Sequence, residues 1–497
     1  MSKCSKLLIF LATMSLWSFA QAESIVLSED YLTEASKKGS PQLDQIEAAF
    51  LSAEVRAGQT KEMFAPEVFG QAVYAETNEK AIIPFIPIWS PVKQGQIGVR
   101  KNLTSGFSTE AAVTTDQRSA ISPIGKYRNI TTSTLSFTMQ MDLWKDLFGR
   151  MSKAQLESAL LESKRAELEK EIQTRTFAIS LRRLYWSLVA NQESLKISEE
   201  LLKTAQQQAG DVTRRFKNSV AESDEVARYE AQVASRQGTL VYLQYQREIL
   251  LKQLRNLLPE LAKAQITISN YDLTKTFNEV MACTATVAQE ANVPYQFTKY
   301  DEATEMIRKI RSHAVAINSR YDDVDVKLFG TVRATGVSSD EVAANINRGT
   351  YGGSIDDIET NNRTGYEVGL RFTLPLGDTK ADTQKSKELY DQKRLSAAID
   401  NSDLQVANTH LMLVKQVTLL NEVIRANNVN TQQLSKRLKF MRRKYEQARV
   451  SVNDLINDQD ALLNSELNGI EIKLQILNVL FDYLAIFTET PCSFNRI

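Results

Sequence analysis

Side chains able to make or break bonds are scarce in this sequence. Its two histidines, His313 and His410, stand in unrelated contexts with no metal-ligand spacing around them. No G-x-S-x-G nucleophile elbow and no glycine-rich phosphate loop occurs. These absences argue against an enzyme and give no reason to expect a metal or an organic cofactor. Of the three cysteines, Cys283 and Cys492 follow the apolar leader that Cys4 precedes. In an oxidising compartment these two can form a disulfide. Spacing does not fix pairing, and two half-buried free thiols is the other reading. What does recur is a polar loop. VTRRFKNSVAESDEVARYEAQVASRQ and MRRKYEQARVSVNDLINDQDALLNSE each carry two arginines, an aromatic, a run of small or polar residues, an acid and an aliphatic. The aromatics, Phe216 and Tyr445, stand 229 residues apart.

Length and charge narrow the class. A chain of 497 residues holds two or three ordinary domains or one extended object. Sixty basic and sixty acidic residues cancel, so nucleic acid is not an expected partner. Only 10 prolines and 19 glycines favour long uninterrupted helices. The N-terminus, MSKCSKLLIFLATMSLWSFAQAES, reads as a signal peptide. Lys3 and Lys6 supply the positive start, Leu7 to Phe19 the apolar run, and Ala20-Gln21-Ala22 the small-x-small site. Cleavage of residues 1–22 makes Glu23 the first mature residue and leaves a net charge of about −2. Cys4 lies ahead of the apolar run and so cannot become an acylated N-terminus. No other apolar run reaches about 18 residues. An exported chain of this kind is either soluble or crosses a membrane as strands.

The repeated loops interrupt heptad patterns. Leu181, Leu184, Leu188, Asn191, Leu195, Ser198, Leu202, Ala205, Ala209, Val212 and Phe216 alternate spacings of three and four, which defines a coiled-coil seam. Val417, Leu420, Ile424, Asn427, Thr431, Leu434, Leu438, Met441 and Tyr445 repeat it, each 229 residues after its counterpart. The pattern resumes after each loop, from Val226 to Leu257 and from Leu463 to Leu484. Each half therefore holds a helical hairpin, turning near 217–225 or 446–454. A helix from about Met151 to Phe216 would be roughly 100 Å long.

Elsewhere the period is two. In 131–143, Leu135, Phe137, Met139, Met141 and Leu143 alternate with Thr132, Thr134, Ser136, Thr138, Gln140 and Asp142. Val324, Val326, Leu328 and Val332 alternate with Asp325, Lys327, Thr331 and Arg333, and Tyr366 to Leu374 repeats the pattern. Each is the signature of a strand with one apolar and one polar face. With PEVFGQAVYAE this gives four principal strands, at about 66–76, 130–143, 322–335 and 364–376. A further hairpin, 95–113, turning at Thr104-Ser105-Gly106, has no assigned place, and 335–365 reads as a solvent-exposed loop. Four strands cannot close a membrane barrel, the smallest having about eight. A barrel must then be shared between subunits, three copies giving twelve strands. The alternative is a soluble sandwich with the apolar faces inward.

Signal peptide, two tandem halves, strand–loop–strand before each hairpin, and a turn of the form [RK]-[FY]-x8-[DE]-[VL] resemble the TolC-like outer-membrane efflux protein family. The resemblance covers essentially the whole mature chain, including SPQLDQIEAAFLSAEVRAG before the first strand and LRFTLPLGDTKADTQKSKELYDQ into the second long helix. It implies an α+β fold: an outer-membrane β-barrel shared by a homotrimer, four strands per chain, continued into the periplasm by a coiled-coil α-helical barrel. The layout is then a signal peptide (1–22), a first repeat (23–258), a mixed equatorial segment (259–300) and a second repeat (301–497). The implied partners are a periplasmic adaptor, an inner-membrane transporter and outer-membrane lipid. The hairpin turns form the tapering periplasmic tip, closed at rest.

Carried over position by position, Tyr445 matches the family's gating tyrosine, and Glu225 falls where its acidic partner sits. Tyr445 would equally serve as an ordinary seam aromatic, as Phe216 does. Asp454 matches the first of two acids ringing the pore constriction; it would equally suit a helix N-terminus. The second acid is replaced here by Asn457, which halves the ring's charge, although Asp458 lies adjacent. A family arginine that helps the latch is displaced, Val450 standing at its position with Arg449 beside it. Arg214, Arg215, Arg442 and Arg443 are candidates for meeting an adaptor, or form a solvated helix face. The competing reading is a periplasmic coiled-coil scaffold or adaptor, which paired amphipathic strands disfavour.

Overall fold

The computed structural model describes residues 24–35, 40–79, 88–120, 127–268, 271–290, 298–319, 324–341, 349–361, 363–374, 378–447 and 449–487. The signal peptide and Cys492 lie outside them. The elements begin with β1 (Ser24–Leu27), α1 (Glu29–Ala35), α2 (Pro41–Glu62), β2 (Glu67–Ala75), β3 (Trp89–Asn102), β4 (Phe107–Ala120) and β5 (Tyr127–Asp142). Then come α3 (Arg150–Lys217), α4 (Ser223–Leu257), β6 (Gln265–Ile268), α5 (Leu273–Glu290) and α6 (Lys299–Asn318). The rest is β7 (Asp325–Glu341), α7 (Tyr351–Asn361), β8 (Thr364–Thr373), α8 (Asp378–Glu446) and α9 (Val452–Ile486). They divide into two compact units, residues 50–167 with 303–401 and the remainder.

The first unit is built on a six-stranded antiparallel sheet in the order β2-β3-β4-β5-β7-β8. This corrects the count of four. The unplaced hairpin is β3 and β4, and it stands between β2 and β5. The signal was weak because one face of β3 reads Lys93, Gly95, Ile97, Val99, Lys101, with only two apolar side chains in five. Register fixes the faces. On one lie Val68, Ile97, Val113, Leu135, Val332 and Tyr366, all exposed. The other carries Gln96, Thr114, Thr134, Thr335 and Glu367 among similar polar groups.

The β3–β4 turn is locked onto the start of α3. Gly106 (φ 79°) and Gly149 (φ 73°) adopt left-handed backbone, and a Cβ at Gly149 would lie 1.7 Å from the Thr104 carbonyl oxygen. The Asp142 amide donates to the Gly106 carbonyl at 3.1 Å. Asp146 accepts from the amides of Met151 at 2.7 Å and Ser152 at 3.0 Å, capping α3. Gly149→Val is expected to destabilise this unit by about 2–3 kcal/mol through strain and collision. Gly95→Ala, with open space around the new methyl, should change thermal unfolding little.

The stretch 335–365 is also corrected. Its described residues are not free loop: β7 runs on to Glu341, and α7 packs on the sheet, while 342–348 and 362 lie outside them. Ser133 and Ser354 hydroxyls meet at 2.7 Å, and the Thr131 hydroxyl donates to the Gly349 carbonyl at 3.0 Å. The Val337 amide donates to Asp357 at 2.8 Å. These bonds satisfy polar groups on the rows where the apolar face turns polar.

In the second unit, β1 and β6 pair in parallel. The seam of α3 is buried from Leu181 to Val212, with Ala209 half-buried and Phe216 exposed. Its main core joins Leu181, Leu184 and Leu188 to Leu251 and Leu254 of α4 and to Ile476, Leu477 and Phe481 of α9. Arg182 pairs with Glu29 at 2.6 Å, both largely buried. No helix among the described residues is long and apolar enough to cross a membrane.

Candidate functional site

The two hairpin turns belong to the second unit and are built alike. At the end of α3, the Val220 amide donates to the Arg215 carbonyl at 2.8 Å, with Ser219 left-handed (φ 61°). This is the six-to-one bond of a Schellman motif. At the end of α8 the Arg449 amide makes the same bond to the Lys444 carbonyl, also at 2.8 Å. Glu222 stands at the N-cap of α4 without a side-chain bond, and Asp224 and Glu225 fill its first turn, where the helix dipole favours anions. α9 starts with a capping box: the Ser451 hydroxyl accepts from the Asp454 amide at 3.2 Å, and Asp454 accepts from the Ser451 amide at 3.3 Å.

The turns meet through a small cluster. Val212, Tyr229 and Val452 are buried, with Ala221, Val226, Tyr445 and Ile456 packed around them. Tyr445 Oη donates to Glu225 Oε1 at 2.5 Å, a charge-assisted bond between the two hairpins. Tyr229, fully buried, hydrogen-bonds the Tyr445 hydroxyl, and the Arg215 guanidinium lies 6.0 Å from the Tyr445 ring centroid. Tyr445 and Glu225 thus come together, and Arg215 is engaged with them. Tyr229 falls within the heptad run that begins at Val226 and is not singled out by it; its spacing of four from Glu225 is the available signal.

Asp454 and Asn457 are exposed, one turn apart on α9. Asp458 turns inward, 4% exposed, and pairs with Arg437 at 2.9 Å, so its carboxylate is not presented beside the exposed Asn457. Arg214 pairs with Asp211, while Arg442 and Arg443 are exposed. Beyond the turns, Gln232 donates to Gln459 at 2.8 Å and buried Arg236 pairs with Asp460, again joining the two hairpins. Cys283 is buried and disulfide-bonded; Cys492 lies outside the described residues. His313 faces Glu157 at 3.5 Å and His410 lies against the Phe487 ring.

Burial first, and then the Glu225 bond, push the Tyr445 phenol above its ordinary range. Burial, then the bond to Tyr445, does the same to Tyr229. Raised values favour the neutral phenols, so their contribution is full below the ordinary tyrosine value of about 10 and is lost as pH rises from there through the folded values. The cluster is expected to hold through neutral pH and loosen above about pH 10. Tyrosinate absorbance and hydrogen exchange in α4 and α9, followed together against pH, check this.

Paired helical hairpins joined at their turns, and a sheet with one apolar and one polar face, give the chain the fold of the TolC-like outer-membrane channels. Three solved structures illustrate the likeness. The outer membrane protein VceC from Vibrio cholerae is 15% identical over 92% of this chain and 95% of its own, with a TM-score of 0.61. The Campylobacter jejuni CmeC outer membrane channel is 13% identical over 94% and 89%, at 0.62. The open-state MtrE outer membrane channel of Neisseria gonorrhoeae is 14% identical over 94% and 93%, at 0.56. No protein-family model and no curated protein matches the sequence.

Proposed function

We propose that this chain is the outer-membrane exit duct of a tripartite export system. Three copies share one barrel, the hairpin turns gate the duct, and substrates delivered by an inner-membrane transporter and a periplasmic adaptor pass through passively. One observation carries the reading: a sheet whose apolar face is exposed, whose opposite face is polar, and whose end strands β2 and β8 have no partner within the described sheet. In water such a face and such edges would aggregate. Against lipid, and closed by further copies, both are satisfied. Trp144 and Phe148, exposed where β5 passes into α3, suit a membrane–water boundary. The Tyr445–Glu225 bond is the latch, Asp454 with Asn457 the weakly acidic constriction, and Arg442 and Arg443 the residues offered to an adaptor. The outer membrane channels whose fold this chain shares support the same reading.

The test is osmotic swelling of liposomes holding the purified chain, with sugars and then polymers of increasing size. Small sugars should enter faster than into empty liposomes, up to a size limit. Folded protein that stays in the aqueous phase and gives no swelling would favour a periplasmic scaffold instead.

A further inference from the structure

We propose that the shared barrel has eighteen strands, with β3 and β4 of each chain forming part of its wall. This rests on the trimeric channel reading above and departs from the twelve strands that four per chain would give. Pairing runs without a break from β2 through β3 and β4 to β5, so β2 and β5 are not neighbours. The inserted pair alternates as its neighbours do: Ile97 faces Val113 across the ladder on the apolar side, and Gln96 faces Thr114 on the polar side.

The β2–β3 pair is also built like β7–β8. Phe69 lies opposite Gly98 with the Arg100 guanidinium 5.7 Å from its ring, and Phe329 lies opposite Gly369 with Arg371 at 5.5 Å. Each ring covers the space where a glycine Cβ would be, at 2.6 and 2.5 Å. A hairpin lying loose outside the wall would not need this device, nor a turn clamped by Gly106 and Gly149.

Six strands is an even number, so β2 and β8 run in opposite directions and the β8 edge of one copy can pair antiparallel with the β2 edge of the next. Head-to-tail pairing of this kind closes a ring. With strands about 4.8 Å apart and tilted about 40°, eighteen strands enclose a backbone diameter of about 36 Å, against about 24 Å for twelve. The wall then leaves room for solutes that a twelve-stranded wall excludes.

The test places single cysteines at Gln96, Ile97, Thr114 and Val113, with Thr134 and Leu135 of β5 as controls. A membrane-impermeant maleimide is applied to outer membranes, the unsubstituted chain gives the background, and native mass spectrometry counts copies. Labelling at 96, 114 and 134 at least about ten-fold faster than at 97, 113 and 135, with three copies, is the result expected. Alternation with two copies gives twelve strands and overturns the proposal. Equal labelling at 96 and 97 with alternation kept at 134 and 135 puts the hairpin outside the wall, overturning the proposal while the channel stands. Loss of alternation at β5 as well sinks the channel reading and the proposal together.

Discussion

Tyr445→Phe combined with Glu225→Gln should raise the conductance of reconstituted channels several-fold. Phe keeps the ring in the cluster beside Val452, and Gln keeps the side-chain length. What is lost is the 2.5 Å phenol–carboxylate bond and the negative charge at its acceptor. Charge-assisted bonds contribute about 1.5–3 kcal/mol, and each 1.4 kcal/mol is about ten-fold in a two-state ratio. A latch that holds the turns together therefore shifts the closed-to-open ratio by about ten-fold or more when removed. Tyr229 and Arg215 remain, so the gate should loosen and not collapse. Cells carrying the double variant should admit bulky antibiotics that the outer membrane otherwise excludes. Equal conductance of variant and unaltered protein would show that the pair only packs.

A second large effect is expected on stability. Asp460→Ala leaves Arg236, 5% exposed, without the carboxylate it pairs with. Removing one partner of a buried pair costs about 3–5 kcal/mol; because Asp460 is itself half-exposed, about 2–3 kcal/mol is expected here. The loss should appear as faster hydrogen exchange in α4 and α9, where the pair and the Gln232–Gln459 bond join the hairpins. Adding Arg236→Met should restore most of it, since the stranded charge is then gone. Equal exchange in the single and double variants would mean that Arg236 finds another acceptor.

These two contacts also mark how far the residues could be read unaided. The α3 seam was legible because a long heptad depends on local spacing alone, and buried Leu181 to Val212 follow it. β5 and β8 were legible for the same reason at period two. β3 and β4 were not, because Lys93, Gly95 and Lys101 dilute the apolar face, and what holds their turn is a backbone clash avoided at Gly149. Tyr445 and Glu225 were named through the family resemblance. Tyr229, Gln232 and Arg236 were missed as contacts because their partners lie more than 200 residues away in sequence. The inward turn of Asp458 toward Arg437 has no sequence signal apart from charge.

The central claim is that this chain makes a pore through lipid. Recording from a planar bilayer after adding detergent-purified, folded protein tests it most directly. Discrete, ohmic, cation-favouring steps are predicted, small in the unaltered chain because the turns are latched. Folded protein that gives no steps, even with the Tyr445 and Glu225 substitutions in place, would contradict the account.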